Sequence, residues 1–279
     1  MDIDVLGALA VREQGFSVTP TAPKPRQVLA LLALNADQVV PVTTVIEELW
    51  GTEPPRSARP TLQTYILQLR ELIGTALRQS DDTGPRSAKD VLMTVPGGYL
   101  LSSGEGRSDV REFERLASAG YRAMDAEDYP QAAERLNEAL ALWRGQALAD
   151  VQTGPHLEPQ VKRLEESRLC ALDQCIDADL RLGRHRELLA ELTVLVSRYP
   201  THESLCGQFM LALHRSGRRG EALNAYQRLR TTLVSDLGLE PSAALVKVQR
   251  SILVSGPPGA AGGTGLNRTS ADRGLTRTG

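Results

Sequence analysis

A chain of 279 residues, 41% hydrophobic and 24% charged, is long enough for two domains with separate cores and is not composed like a disordered protein. No run approaches the roughly 18 apolar residues of a membrane-spanning helix, and the acidic start Met1-Asp2-Ile3-Asp4 lacks the regions of a signal peptide; a cytoplasmic protein without a membrane partner is expected. The net charge of −2 lends no support to nucleic-acid binding, although arginine, the residue suited to phosphate and guanine, outnumbers lysine 28 to 4.

Ile3–Val11 and Phe16–Val18 read as two short strands around an Arg12–Gly15 turn. Lys24–Asn35 is a helix with Val28, Leu29, Leu31 and Leu32 inward, and Val39–Val42 is a brief extended connector. Thr44-x-x-Glu47 has the form of a capping box opening a short helix that buries Val45, Ile46, Leu49 and Trp50. Gly51–Arg56, with two prolines, is a loop, and Ser57 caps a longer helix whose Leu62, Tyr65, Ile66, Leu69 and Ile73 share one face. After a polar break at 79–89, two apolar runs flanking Pro96-Gly97-Gly98 predict a β-hairpin. Strands, three helices and a hairpin make a winged helix-turn-helix over residues 1–105, in which the third helix enters the major groove.

From Asp109 to about residue 255 the pattern is amphipathic helix throughout. Gly183-Arg184-His185-Arg186-Glu187-Leu188 recurs as Gly217-Arg218-Arg219-Gly220-Glu221-Ala222, an offset of 34 that is the tetratricopeptide period. Asp128–Ala133 is a diverged third copy, with Leu140, Leu195 and Leu229 expected at matching positions and one helix's worth of sequence inserted near Arg144–Leu164. The fold class is therefore mainly α with a small β part: a winged helix, then an all-α tetratricopeptide-like domain at 109–255. The Gly- and Pro-rich tail at 256–279 is expected to be disordered.

The face of the third helix opposite its core stripe displays Arg59, Gln63, Thr64, Leu67, Gln68 and Arg70. Arginine forks match the guanine O6/N7 edge and glutamine amides match adenine, so Arg59, Gln63, Thr64, Gln68 and Arg70 are candidate DNA contacts, with Arg70 placed for a bidentate guanine contact. A solvated helix surface would look the same in isolation; the position before a glycine-turned hairpin favours the groove. Between Pro54 and Lys89, Arg56, Arg59, Arg70, Arg78, Arg86 and Lys89 outnumber Glu71, Asp81 and Asp82, a local excess of three positive charges.

Several strings occur together in order: Glu48-Leu49-Trp50-Gly51, Pro54-Pro55-Arg56-Ser57-Ala58, Thr61–Arg70 and Pro96-Gly97-Gly98-Tyr99-Leu100. They are followed by Asp109-Val110-x-x-Phe113, Ala139-Leu140-x-Leu142-Trp143-Arg144-Gly145 and Asp236-Leu237-Gly238-Leu239-Glu240-Pro241. Over roughly residues 1–255 the chain resembles the Streptomyces antibiotic regulatory protein family. The resemblance implies an OmpR-type winged helix that binds tandem direct repeats near the −35 region and recruits RNA polymerase holoenzyme to an antibiotic gene cluster, with the aromatic polyketide branch nearest. A dimer on DNA is expected separately, because the helical repeats offer an assembly surface and one reader carries few base-capable side chains. The resemblance aligns Thr64, Gln68 and Arg70 with groove-facing positions, Thr94 with a wing residue touching the backbone or minor groove, and the 51–56 loop, with Glu53 and Arg56, with a polymerase-facing loop. Gln68 and Pro96 stand where two-component relatives often carry arginine, so base preference does not transfer. No receiver domain precedes the reader, and aspartate phosphorylation is not the expected switch.

His156, His185, His202 and His214 show no ligand spacing, and no nucleophile elbow, zinc-protease motif or phosphate loop is present; neither a metal, a cofactor nor an enzyme activity is expected. Cys170, Cys175 and Cys206, an odd number in helical context, read as reduced thiols, with the Cys170–Cys175 pair in core packing. Trp50, Trp143 and Tyr226 read as packing residues. The competing reading is an interaction scaffold whose helical repeats bind a peptide or small ligand and whose N-terminal part only resembles a winged helix.

Overall fold

The structure, a computed structural model, describes residues 1–79 and 86–254. The expected disordered tail, and Asp81 and Asp82 of the charge balance, lie outside the described residues. The chain divides into two compact units, the first Met1–Gly183 and the second beginning at Arg184.

The first unit opens with an antiparallel sheet of β1 (Asp2–Asp4), β2 (Ala10–Glu13) and β3 (Phe16–Ser17). Then come α1 (Pro23–Leu34), β4 (Val39–Pro41), α2 (Val42–Trp50), α3 (Ala58–Gln79), the single turn α4 (Ala88–Val91), β5 (Leu92–Val95) and β6 (Gly98–Leu101). The connector at 39–41 is a true strand: β4 pairs with β6, and β6 with β5, in the order β4-β6-β5. Gly98 is required there, because a Cβ would meet the Val40 carbonyl oxygen. This is the expected winged helix, with a three-stranded wing sheet in place of a lone hairpin.

Two local expectations are corrected. The Thr44/Glu47 capping box does not form: α2 starts at Val42 after Pro41, with no side-chain cap, and the Val42 N–H is taken by the Gly97 carbonyl at 3.0 Å. The wing sheet thus does the capping. The second correction is that Ile3–Val11 is not one strand, because Val5–Leu9 breaks away to pair with residues more than a hundred positions downstream. Asp109 Oδ2 accepts from the Val5 and Leu6 N–H groups at 2.8 and 2.9 Å, and Asp150 Oδ1 from Leu9 at 2.7 Å. The carbonyls of Val5, Leu6 and Gly7 accept from Leu148, Arg144 and Ala149.

Those partners belong to the rest of the unit: α5 (Asp109–Asp125), α6 (Tyr129–Ala141), a connector at 142–156, and α7 (Leu157–Arg181). The predicted inserted helix near 144–164 is mostly this connector, whose backbone is spent on the N-terminal segment instead of on a helix of its own. Trp143 lies edge-on to Phe113 with ring centroids 5.5 Å apart, the Arg168 guanidinium lies 4.8 Å from the Trp143 ring, and Ala147 and Leu148 are buried. One hydrophobic core runs from Met1 and Ile3 through α1, α3 and the wing to Phe113, Trp143, Leu157, Leu164 and Cys175. A chain cut at residue 105 would lose that far wall. Cys170, expected in the core with Cys175, is exposed.

Glu48 closes the unit from the α2 side. Its carboxylate, in a side chain only 2% exposed, accepts from the N–H groups of Gly154 (2.6 Å), His156 (2.8 Å) and Leu157 (3.0 Å), and from Gln27 Nε2 at 2.9 Å. Three of these donors sit at or just before the start of α7, where backbone N–H groups have no helical partner. Gly154 is the residue that permits the approach, since a Cβ there would strike the Glu48 carbonyl oxygen. Asp109 is the second such carboxylate; burial pushes its pKa up, against the Leu6 and Val5 N–H groups, which pull it down.

The second unit contains α8 (Leu189–Arg198), α9 (Glu203–Arg215), α10 (Arg219–Thr232), a π-helical turn (Leu233–Leu237) and α11 (Ala243–Val254). Gly183 and Gly217, at the repeated turns, both adopt φ +81°, and Glu127 takes the same left-handed region at φ +58°. The first copy is therefore in register at Glu127, one residue earlier than expected. Twelve residues on, the buried positions are Ala139, Leu195 and Leu229, while Leu140 is only half-buried. Among the described residues no helix is long and apolar enough to cross a membrane.

Replacing Glu48 by alanine strands the donors at the α7 start in a buried site. We expect Glu48→Ala to lower the unfolding free energy by about 2–4 kcal/mol in urea denaturation. Glu48→Gln, which keeps one acceptor oxygen, should recover part of the loss. A loss below about 1 kcal/mol for the alanine variant would mean that water replaces the carboxylate.

Candidate nucleic-acid interface

The surface of interest is built on α3. Leu62, Ile66, Leu69 and Ile73 are buried at helical spacing, so the opposite face is committed to solvent or a ligand. Along that face Arg59, Gln63, Thr64, Leu67, Gln68, Glu71, Thr75 and Arg78 are exposed. The Thr64 hydroxyl donates back to the Pro60 carbonyl at 3.2 Å, and Arg78 donates to Thr75 Oγ1 at 3.1 Å. The helix runs to Gln79, six residues past Ile73, the last residue of its core stripe in the sequence reading.

Arg70 lies apart from this group. It is half-buried, and its fork closes on the wing: Nε and Nη2 donate to the Leu92 carbonyl at 3.0 and 2.8 Å, and Nη2 also to Thr94 Oγ1 at 2.8 Å. The guanidinium expected on a guanine edge therefore bridges α3 to β5. Thr94 stays exposed and keeps its own hydroxyl proton for a further acceptor. Arg86 is likewise occupied, at 3.3 Å from buried Glu13. Of the six basic residues counted along 54–89, Arg56, Arg59, Arg78 and Lys89 remain exposed and outside any ion pair shorter than 4 Å among the described residues.

The α2–α3 loop is anchored by Gly51, at φ +63°, whose N–H donates to the Glu47 carbonyl at 2.7 Å. Glu53 and Arg56, the expected polymerase-facing residues, are both exposed along it. Glu47 meets His156 Nε2 at 3.0 Å, so the helix leading into this loop touches the α7 start through two successive glutamates.

Sequence reasoning overlooked Glu48, Asp109 and Gln27. Glu48 and Asp109 each open one of the family strings quoted above, but nothing local marks the three as buried hydrogen-bonding residues, since their partners lie 21 to 109 residues away. The one available signal was negative: Glu48 falls on the inward side of α2, next to Leu49, where an unpaired carboxylate would be costly.

Two family models match, in chain order. Residues 17–98 match "Transcriptional regulatory protein, C terminal", and residues 108–253 match "Bacterial transcriptional activator domain". The chain is 54% identical to the regulatory protein DnrI of Streptomyces peucetius over 257 residues, which covers 92% of this chain and 93% of that protein. It is 33% identical to the transcriptional regulator RedD of Streptomyces coelicolor, over 92% of this chain and 71% of that one. A solved structure of Mycobacterium tuberculosis EmbR in complex with a low-affinity phosphopeptide superposes with a TM-score of 0.81 at 34% identity, covering 90% of this chain and 64% of the EmbR chain. With both models in order and a relative this similar along nearly its whole length, the chain belongs to the Streptomyces antibiotic regulatory protein family of transcriptional activators, an OmpR-type winged helix joined to a bacterial transcriptional activation domain.

Proposed function

We propose that this transcriptional regulator binds promoter DNA in the cytoplasm through α3 and the wing, occupies tandem direct repeats near the −35 region as a dimer on DNA, and recruits RNA polymerase to a secondary-metabolite gene cluster, an aromatic polyketide cluster being the nearest fit. The observation that carries the reading is the exposed stripe of amide and hydroxyl side chains on α3, beside a wing clamped to the same helix by Arg70. Gln63, Thr64 and Gln68 supply donors and acceptors for base edges, and the exposed Arg56, Arg59 and Lys89 supply phosphate contacts. Thr94 turns its free hydroxyl proton toward the backbone or minor groove. Arg70 acts as a positioning residue that sets the angle between groove helix and wing. A module at residues 1–105 reads DNA while 109–255 serves assembly and activation. The reader's far wall nevertheless lies in α5–α7, so the first helices of the second segment are part of what holds the reader in shape.

Arg70→Ala should lower affinity for cognate and random duplexes by similar factors, and should raise amide exchange along 92–95 as the wing loosens. A loss confined to the cognate site, with exchange unchanged, would return Arg70 to the guanine contact. Lysine, with a single ammonium, should not restore the fork.

Glu53 and Arg56 replaced together should reduce transcription in a reconstituted assay with polymerase while operator affinity, by fluorescence anisotropy, stays within error. Parallel losses would make the loop a DNA element.

On a promoter with two repeats, the full chain should bind cooperatively, since assembly through the helical segment raises the effective concentration of the second reader. Inserting five base pairs between the repeats should abolish the cooperativity, and ten should largely restore it. Equal affinity for one repeat and for two would rule out the assembly role.

A further inference from the structure

The stripe on α3 is polar except at one position. Leu67 is 58% exposed, with Gln63 and Thr64 one turn before it, Glu71 one turn after, and Gln68 beside it. The adjacent Ile66 fills the core, and Leu67 lies on the opposite side from the buried Leu62, Leu69 and Ile73, so core packing does not explain an aliphatic side chain here. Helix propensity does not explain it either, because glutamine, glutamate, lysine and arginine serve a helix about as well and would keep the surface polar. The other large apolar residues exposed among the described residues of this module, Phe16 and Val39, sit on short strands and not on the α3 stripe.

The major groove offers one apolar group on its base edges, the C5-methyl of thymine. We infer that Leu67 is a specificity-determining residue that packs its isobutyl group on a thymine methyl in each half-site, between base edges read by Gln63 and Gln68. The inference rests on the proposed role of α3 as the groove helix. With a rise of 1.5 Å per residue, Gln63 and Leu67 are separated by about 6 Å along the helix, close to two base steps, so this thymine lies within about two positions of the base that Gln63 reads. Removing the Arg70 fork from the base edges leaves the stripe without a guanine fork in its middle, and a methyl contact flanked by amides selects an A·T-containing centre instead.

The test uses the full chain and a duplex carrying the repeats it selects from a random-sequence pool. Each thymine of one half-site is replaced in turn by deoxyuridine, which keeps its base pairing and loses only the methyl. Wild type should lose about three- to five-fold in affinity at one position, the value of one buried methyl. Leu67→Ala should be weaker on the thymine duplex yet indifferent to deoxyuridine at that same position, and Leu67→Gln should no longer prefer thymine there. Leu67 is exposed, and unchanged circular dichroism and melting of both variants serve as the folding control. If wild type and Leu67→Ala show the same deoxyuridine profile while Gln63→Ala alters base preference, the thymine contact is overturned and the groove reading of α3 stands. If neither Leu67→Ala nor Gln63→Ala and Gln68→Ala changes any base preference, both fall together.

Discussion

Two buried carboxylates hold the first unit together. Glu48, from the end of α2, collects the free N–H groups at the start of α7, and Asp109, at the start of α5, collects those of Val5 and Leu6. Each solves the same problem from opposite directions. A helix start or an unpaired strand segment has N–H groups that must be satisfied once water is excluded, and a carboxylate satisfies several of them at once. The arrangement is reciprocal, because a carboxylate placed in an apolar core would itself be intolerable without those donors. Asp109 shows the tension: burial raises its pKa while its backbone partners lower it. Between them these residues make the winged helix and the α5–α7 helices a single packed body, with Phe113, Trp143 and Leu157 in its shared core.

The constraint reaches the functional surface through α2. This helix ends at the loop carrying Glu53 and Arg56 and begins where the wing sheet caps it, at the Val42–Gly97 hydrogen bond. Its C-terminal end is held by Glu48 and its N-terminal end by the wing, so the turn between α2 and α3 inherits its position from both. Arg70 adds the third tie, from α3 to β5. With α3 and the wing fixed at this angle the surface is preformed, and less ordering entropy is lost when a ligand binds to it. The module is not strongly basic. Where affinity from charge is modest, selectivity depends more on base-edge contacts, including apolar ones.

The helices after Asp109 follow the physics of helical repeats in both units, their repeated turns reversing the chain at a left-handed residue. Glycine occupies that position at 183 and 217, and Glu127 accepts the same conformation at some cost in strain. The π-helical turn at Leu233–Leu237 ends on Gly238 at φ +68°, and Glu240 returns to Arg230 at 2.7 and 2.9 Å, so the Asp236–Pro241 string is a built turn and not a loose linker. Leu237 and Leu239 remain exposed there.

Much of this was legible in the residues themselves. The α3 stripe, the Pro96-Gly97 turn of the wing, the change to continuous helix after Asp109 and the repeat of 34 all follow from local periodicity and turn chemistry, and these dictate the element order. The errors share one cause. Ile3–Val11 has the pattern of a strand, Thr44 and Glu47 the spacing of a capping box, and 144–164 the composition of a helix. In each case a partner far along the chain claimed backbone of that segment: Asp109 for Val5 and Leu6, Gly97 for Val42 at the start of α2, Leu6 for Arg144. A local pattern states what a segment can do with its own neighbours. Which hydrogen bond it makes is settled only when folding brings a competing donor or acceptor to it and excludes the water that would otherwise have served.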